Sequence, residues 1–251
     1  MNKLPKVTLF FWIMKIAATT LGETAGDLLS MTLNIGYAIS SIVLIGLLFT
    51  ALITQLRSKK YHPALYWSVI LLTSTAGTTM SDFMDRTLGL GYVKGTIILF
   101  SILLAIFVFW HLSGYPFSIS KINTFKAELL FWTAILFSNT LGTALGDFLA
   151  DSSGLGFAGG ALLIGSLLML TALAMFWNRI PKTLLFWIAF VLTRPFGATM
   201  GDVLTKSHAK GGLNFGTVGS SLVLALILTI LVWHTTFSQN KKTRIALVRL
   251  D

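Results

Sequence analysis

Thr20-Leu21-Gly22-Glu23-Thr24-Ala25-Gly26-Asp27 is a polar cluster set inside apolar sequence, and it returns three times. The later copies are Thr75-Ala76-Gly77-Thr78-Thr79-Met80-Ser81-Asp82, Thr140-Leu141-Gly142-Thr143-Ala144-Leu145-Gly146-Asp147 and Pro195-Phe196-Gly197-Ala198-Thr199-Met200-Gly201-Asp202. A tryptophan stands fifteen residues before each aspartate, at Trp12, Trp67, Trp132 and Trp187, and both residues step by 55, 65 and 55. Self-similarity at so regular a spacing is a fourfold internal repeat. A carboxylate inside an apolar helix is costly, so one kept four times is the feature that a function has to explain.

The surrounding sequence is that of a membrane protein. Apolar residues make up 55% of the chain and charged residues 11%, with a mean hydropathy of +0.80. A soluble domain carries about 25% charged residues. Each repeat holds two apolar stretches of roughly 20 residues, the length that crosses a hydrocarbon core of ~30 Å. The expected fold is an all-α membrane protein. Its eight transmembrane helices form four two-helix repeats, in parallel orientation around a pseudo-symmetry axis, because an even number of spans per repeat preserves direction. The whole chain, 1–251, reads as one transmembrane domain with repeats at 5–60, 62–116, 125–179 and 181–237 and a basic cytoplasmic tail at 239–251, expected to be mobile. The first apolar stretch belongs to the first repeat, so it does not read as a cleaved signal peptide.

The formal charge of +10 raises the question of nucleic acid, and its placement answers it. Thirteen of the 19 basic residues lie at the termini or between repeats, among them Lys3, Lys6, Arg57, Lys59, Lys60, Lys121, Lys126, Arg179 and Lys182. Arg86, Lys94, Lys206 and Lys210 fall in loops within repeats, and Lys15 and Arg194 fall inside apolar stretches. That asymmetry follows the positive-inside rule with both termini cytoplasmic. The partners implied are a lipid bilayer and a small ion or small-molecule substrate, with no nucleic acid; a homo-oligomer is left open. The location implied is a membrane crossed several times, and the family resemblance given below implies a bacterial inner membrane. There are no cysteines, which excludes disulfides, thiolate metal sites and cysteine nucleophiles.

Turns are marked by Asn34-Ile35-Gly36, Gly89-Leu90-Gly91, Gly154-Leu155-Gly156 and Asn214-Phe215-Gly216. If the repeated tryptophans sit in the cytoplasmic aromatic belt, fifteen residues at 1.5 Å each put the aspartates ~22 Å further out, near the opposite face. Lys15, three residues past Trp12, is expected to snorkel to the cytoplasmic side. The four histidines lack metal-ligand spacing and read as solvated.

Positions i, i+3 and i+7 share a helix face, which aligns Thr20, Glu23 and Asp27, and likewise Thr75, Thr78 and Asp82, and Thr140, Thr143 and Asp147. The fourth copy offers Pro195, Ala198 and Asp202, and so less oxygen. Small residues four apart, such as Gly22/Gly26 and Gly142/Gly146, let helix backbones approach closely in lipid. Four like charges brought together need a cation or shared protons. The donors are carboxylate and hydroxyl oxygens, which favour a hard ion such as Mn²⁺, Mg²⁺, Ca²⁺, Na⁺ or H⁺ over Zn²⁺ or Cu⁺. Arg194, eight residues before Asp202, is expected to neutralise one aspartate. No phosphate loop, dinucleotide fingerprint or nucleophile elbow is present, and no enzyme activity is expected.

On Thr20-x-Gly22-x-x-x-Gly26-Asp27 and its counterparts, over nearly the entire chain, the sequence resembles the bacterial integral membrane proteins built from four copies of a repeat of unknown function, often described as uncharacterised membrane-anchored proteins. The resemblance implies architecture rather than activity. The fourth copy differs from the others in carrying Arg194-Pro195. A looser likeness is to cation exporters with Glu-x-Gly-Asp, although Glu23 stands one residue further from Gly26-Asp27 and three copies lack it.

The first functional expectation is a transporter or channel for a small cation, a divalent metal such as Mn²⁺ or a proton-coupled ion. Asp27, Asp82, Asp147 and Asp202 would be its ligands, metal ligands included, with Glu23, Thr20, Thr75, Thr140 and Arg194 beside them. A bound divalent or monovalent cation is the one cofactor this allows. The alternative is a proton-coupled organic-solute or anion transporter with Arg194 as substrate contact. A non-transporting structural or sensory membrane protein is the second alternative. An intramembrane aspartyl protease would need glycine three residues before the aspartate, where Thr24, Thr79, Ala144 and Thr199 stand.

Overall fold

The computed structural model describes residues 3–177 and 179–248, with side chains through 238. Among these residues the chain is all-helical, with eight long helices: α1 (Leu9–Asp27), α2 (Tyr37–Arg57), α3 (Pro63–Asp82), α4 (Tyr92–Leu112), α5 (Phe125–Asp147), α6 (Gly156–Ala174), α7 (Lys182–Thr205) and α8 (Gly216–Val248). Local chemistry sets the starts. Thr8 and Thr124 accept from the Phe11 and Ala127 amides, satisfying donors that the first turn leaves open, and Pro63 opens α3.

Each aspartate stands at or near the end of its helix. In the first three repeats a single π-helical turn follows it at once, closed by Leu33 N–H to Leu28 O, Leu88 N–H to Phe83 O and Ser153 N–H to Phe148 O at 2.9–3.0 Å. The turns then reverse through Asn34, Gly89, Gly154 and Asn214, all at positive φ, each followed two residues later by a glycine at positive φ. Gly supplies that conformation without a Cβ penalty and Asn tolerates it best among the rest, so the motif seen in the sequence is a backbone requirement. In repeat four the interval from Asp202 to Asn214 is five residues longer than its counterparts, and the extra residues take the place of the π turn. They fold back so that the Leu213 and Phe215 amides donate to Val203 O and Leu204 O at the end of α7.

The helices fall into two sets. α1, α3, α5 and α7 pack on one another in a closed ring, in the order α1–α3–α5–α7–α1. The other four lie outside it, and each seats on the ring helix of the following repeat: α2 on α3, α4 on α5, α6 on α7 and α8 back on α1. Glycines make the ring tight. A Cβ at Gly22 would strike Ser74, at Gly77 the Asn139–Thr140 backbone, at Gly142 Arg194 and Pro195, and at Gly197 Thr19. The same contact therefore repeats at all four seams.

Six of the helices are long and apolar enough to cross a membrane: α2, α4, α5, α6, α7 and α8. In α5 and α7, 67% of the most apolar stretch is buried, against 17–28% in the four peripheral helices. The peripheral helices are apolar and exposed, with Ile42, Phe49, Phe100, Leu162, Leu170 and Leu222 all facing out. A helix exposed on an apolar face belongs in lipid, and the chain is a multi-pass membrane protein.

At the tryptophan end the ring is filled. Phe11, Tyr66, Phe131 and Phe186, each one residue before a repeated tryptophan, are buried and meet across the seams: Phe11 against Trp67 and Phe186, Tyr66 against Trp132, Phe131 against Trp187. Trp67, Trp132 and Trp187 are buried with them, which corrects the expectation of an interfacial belt. Ring closure turns that face inward, and tilted aromatic packing, edge-on at Phe131–Trp187, holds the plug together. The tail expected at 239–251 continues α8 as helix to Val248, and residues 249–251 lie outside the described ones.

Candidate functional site

The centre of the ring above the aromatic plug is polar, and it is built in levels. Twelve residues before the aspartates stands Lys15, wholly buried, with Nζ over the Phe190 ring at 4.2 Å and 3.5 Å from Asn139 Oδ1. It does not snorkel: its ammonium is wholly buried against Phe190 of α7 and Asn139 of α5.

Eight residues before the aspartates come Thr19, Ser74, Asn139 and Arg194, all buried. Four before come Glu23, Thr78, Thr143 and Ala198. Arg194 reaches one level up, and its Nη2 lies 2.9 Å from Glu23 Oε2 and donates to the Thr78 and Thr143 hydroxyls. Both threonine hydroxyls also lie 3.2 Å from Glu23 Oε2. Arg194 therefore pairs with the glutamate and not with an aspartate, because the guanidinium on α7 meets the carboxylate on α1 directly across the seam. Its Nε and Nη1 have no partner among the described residues.

The next level is the four aspartates, all buried. Carboxylate oxygens of Glu23, Asp147 and Asp202 lie within 4.8 Å of one another. Two cations cover the set. Arg86 bridges Asp82, 3.0 Å from Nε, and Asp147, 3.3 Å from Nη2. Lys206 bridges Asp27 at 2.8 Å and Asp202 at 3.0 Å. Burial disfavours the Lys206 ammonium, but the carboxylates of Asp202 and Asp27 outweigh that and raise its pKa above the ordinary lysine value.

Of the residues singled out in the sequence, the ring thus gathers all four aspartates, Glu23 and Arg194 into one buried cluster. Of the threonines seven residues before the aspartates, Thr20 is buried on α1, and Thr75 and Thr140 donate to Leu71 O and Leu136 O of their own helices. The hydroxyls that face the carboxylate are Thr78 and Thr143, because the facing positions step by four residues and not by three and then four. Seams made by small residues four apart favour that step. Sequence reading also missed Arg86 and Lys206. The signal was available: both stand four residues after an aspartate, one helical turn.

The family model described as "Repeat of Unknown Function (DUF347)" matches at residues 10–61, 65–115, 130–180 and 185–241, once per repeat. The chain belongs to this family. No curated protein matches it, and no solved structure matches it.

Proposed function

We propose that this protein is a membrane transporter for a small hard cation, a divalent metal such as Mn²⁺ or a proton-coupled ion, with the cation held by the carboxylates at the centre of the ring. The observation that carries the reading is the meeting of Glu23, Asp147 and Asp202 oxygens within 4.8 Å, in a position walled from lipid by four helices. Counting formal charges within the ion-paired set alone, and so without Lys15 two levels below Glu23, the five carboxylates of Glu23 and the aspartates face three cations, Arg194, Arg86 and Lys206, which leaves an excess of two negative charges in that set. A divalent ion or two protons would balance it. Oxygen donors without thiolates or imidazoles suit Mg²⁺, Mn²⁺ or Ca²⁺.

In this reading all eight long helices span the membrane and the repeats run parallel about an axis along its normal. α1 and α3 are too polar to qualify by composition alone, but their charged residues and, Ser68 apart, the hydroxyl residues of α3 are buried against protein and do not face lipid. Both termini are cytoplasmic by the distribution of Lys and Arg, and the membrane is taken as a bacterial inner membrane from the family resemblance. The aromatic plug then closes the cytoplasmic end, and the carboxylates are reached from the opposite face. Asp27, Asp82, Asp147 and Asp202 bind the ion, with Glu23, Thr78 and Thr143 at the deepest point. Arg194 is engaged with Glu23 and both threonines, so a cation is preferred to an anionic solute that would use Arg194 as its contact.

Purified protein in liposomes should move Mn²⁺ or another hard cation, and Asp147→Asn should abolish the flux. Undiminished flux in all four Asp→Asn variants would refute the site.

A further inference from the structure

Arg86 and Lys206 hold equivalent places, four residues past the aspartates of repeats two and four. Repeats one and three have Met31 and Asp151 there, so two bridges serve four aspartates. Each bridge joins its own repeat's carboxylate to one in the next repeat around the ring. The two cationic side chains are 30% and 20% exposed, while the carboxylates beneath them are 1–4% exposed. The cationic heads therefore lie between the buried acids and the surroundings.

Their attachment leaves the head as the movable part. Lys206 stands where α7 stops, and its carbonyl accepts from the Asn214 amide at 2.9 Å, which pins the backbone and leaves a flexible four-carbon arm. Arg86 sits on a π-helical turn, 3.3 Å from the Tyr37 hydroxyl and near the Tyr37 and Tyr92 rings. That gives the guanidinium a second set of contacts to one side of the acids. A separate observation points to a ligand. Asp82 is buried, and among the described residues neither of its oxygens has a hydrogen-bond partner; its one ion pair there, to Arg86, engages Oδ1 and leaves Oδ2 bare. A buried carboxylate oxygen without a donor is costly unless something cationic reaches it.

We propose that Arg86 and Lys206 are built-in occupants of two cation sites, Asp82–Asp147 and Asp27–Asp202, and that a cation entering from the aspartate end binds by displacing them. The inference rests on the cation reading above and adds to it two entry sites and a self-inhibiting gate on each.

The test measures binding of Mn²⁺, Mg²⁺, Ca²⁺ and Na⁺ to the purified full chain in nanodiscs, for wild type, Arg86→Gln, Lys206→Gln and the double variant. Removing a tethered competitor should lower the half-saturating concentration by at least about tenfold in each single variant, since two unit charges at contact distance interact by several kcal/mol near a protein surface. On the wild type, acylation of the Lys206 amine by an impermeant ester, read by mass spectrometry, should speed up as the cation is added. This second measurement needs no variant to fold. Cation binding by the wild type with unchanged or weakened binding in both single variants, or with unaltered Lys206 acylation, overturns the gate and leaves the cation reading standing. Binding of none of the four ions by wild type or variants overturns both.

Discussion

Arg194 and Glu23 form an ion pair with side chains 0% and 3% exposed, tied together by two threonine hydroxyls. Burying such a pair is costly, and removing one partner is costlier, because the other charge is left stranded. Glu23→Gln and Arg194→Met should each destabilise the protein by about 3–5 kcal/mol. The double substitution should recover most of that loss. Thermal unfolding in detergent checks this, and additive losses would mean that the two side chains do not interact. Both residues were legible in the sequence as departures from the fourfold pattern. Their pairing was not, since the two residues are 171 positions apart, stand at different levels of their helices and meet only because the long arginine arm rises one turn across a seam.

Helix existence and turns are the most legible layer. Twenty-residue apolar stretches and paired Asn/Gly–x–Gly turns follow from bilayer thickness and from backbone sterics, both local in the chain. The seams illustrate a finer dependence. Gly197→Ala would place a methyl 2.8 Å from backbone carbon of Thr19, where neither helix can yield easily, and should destabilise by about 1–3 kcal/mol. Gly46→Ala, on a peripheral helix with nothing within 4 Å, should change stability by less than about 1 kcal/mol. Equal effects at both positions, measured by unfolding in the same detergent, would remove the close-approach argument. Glycines four apart announced packing in the sequence. Which neighbour each would touch was not announced, because spacing within a helix carries no information on its partner.

At the scale of the molecule, the covalent repeat and the packing unit differ. A peripheral helix leaves its own ring helix and covers the next, and α8 closes the circle on α1. The two halves are therefore interlocked along two seams, where α3 and α4 meet α5 and where α7 and α8 meet α1. When co-expressed as separate chains split between α4 and α5, they should assemble and co-purify through both contacts. Failure to co-purify, with each half inserted in the membrane, would count against the closed ring.

The sequence by itself determined the membrane character, the four repeats, the turns and the presence of four costly carboxylates, since each depends on composition or on spacing along one chain. Only the tertiary structure decided that the tryptophans plug the ring, that Lys15 is buried, that Thr78 and Thr143 face the carboxylate, and that Arg86 and Lys206 cover the aspartates. Those outcomes depend on which way each helix is turned when four of them close on one another, and ring closure is a property of all four seams at once.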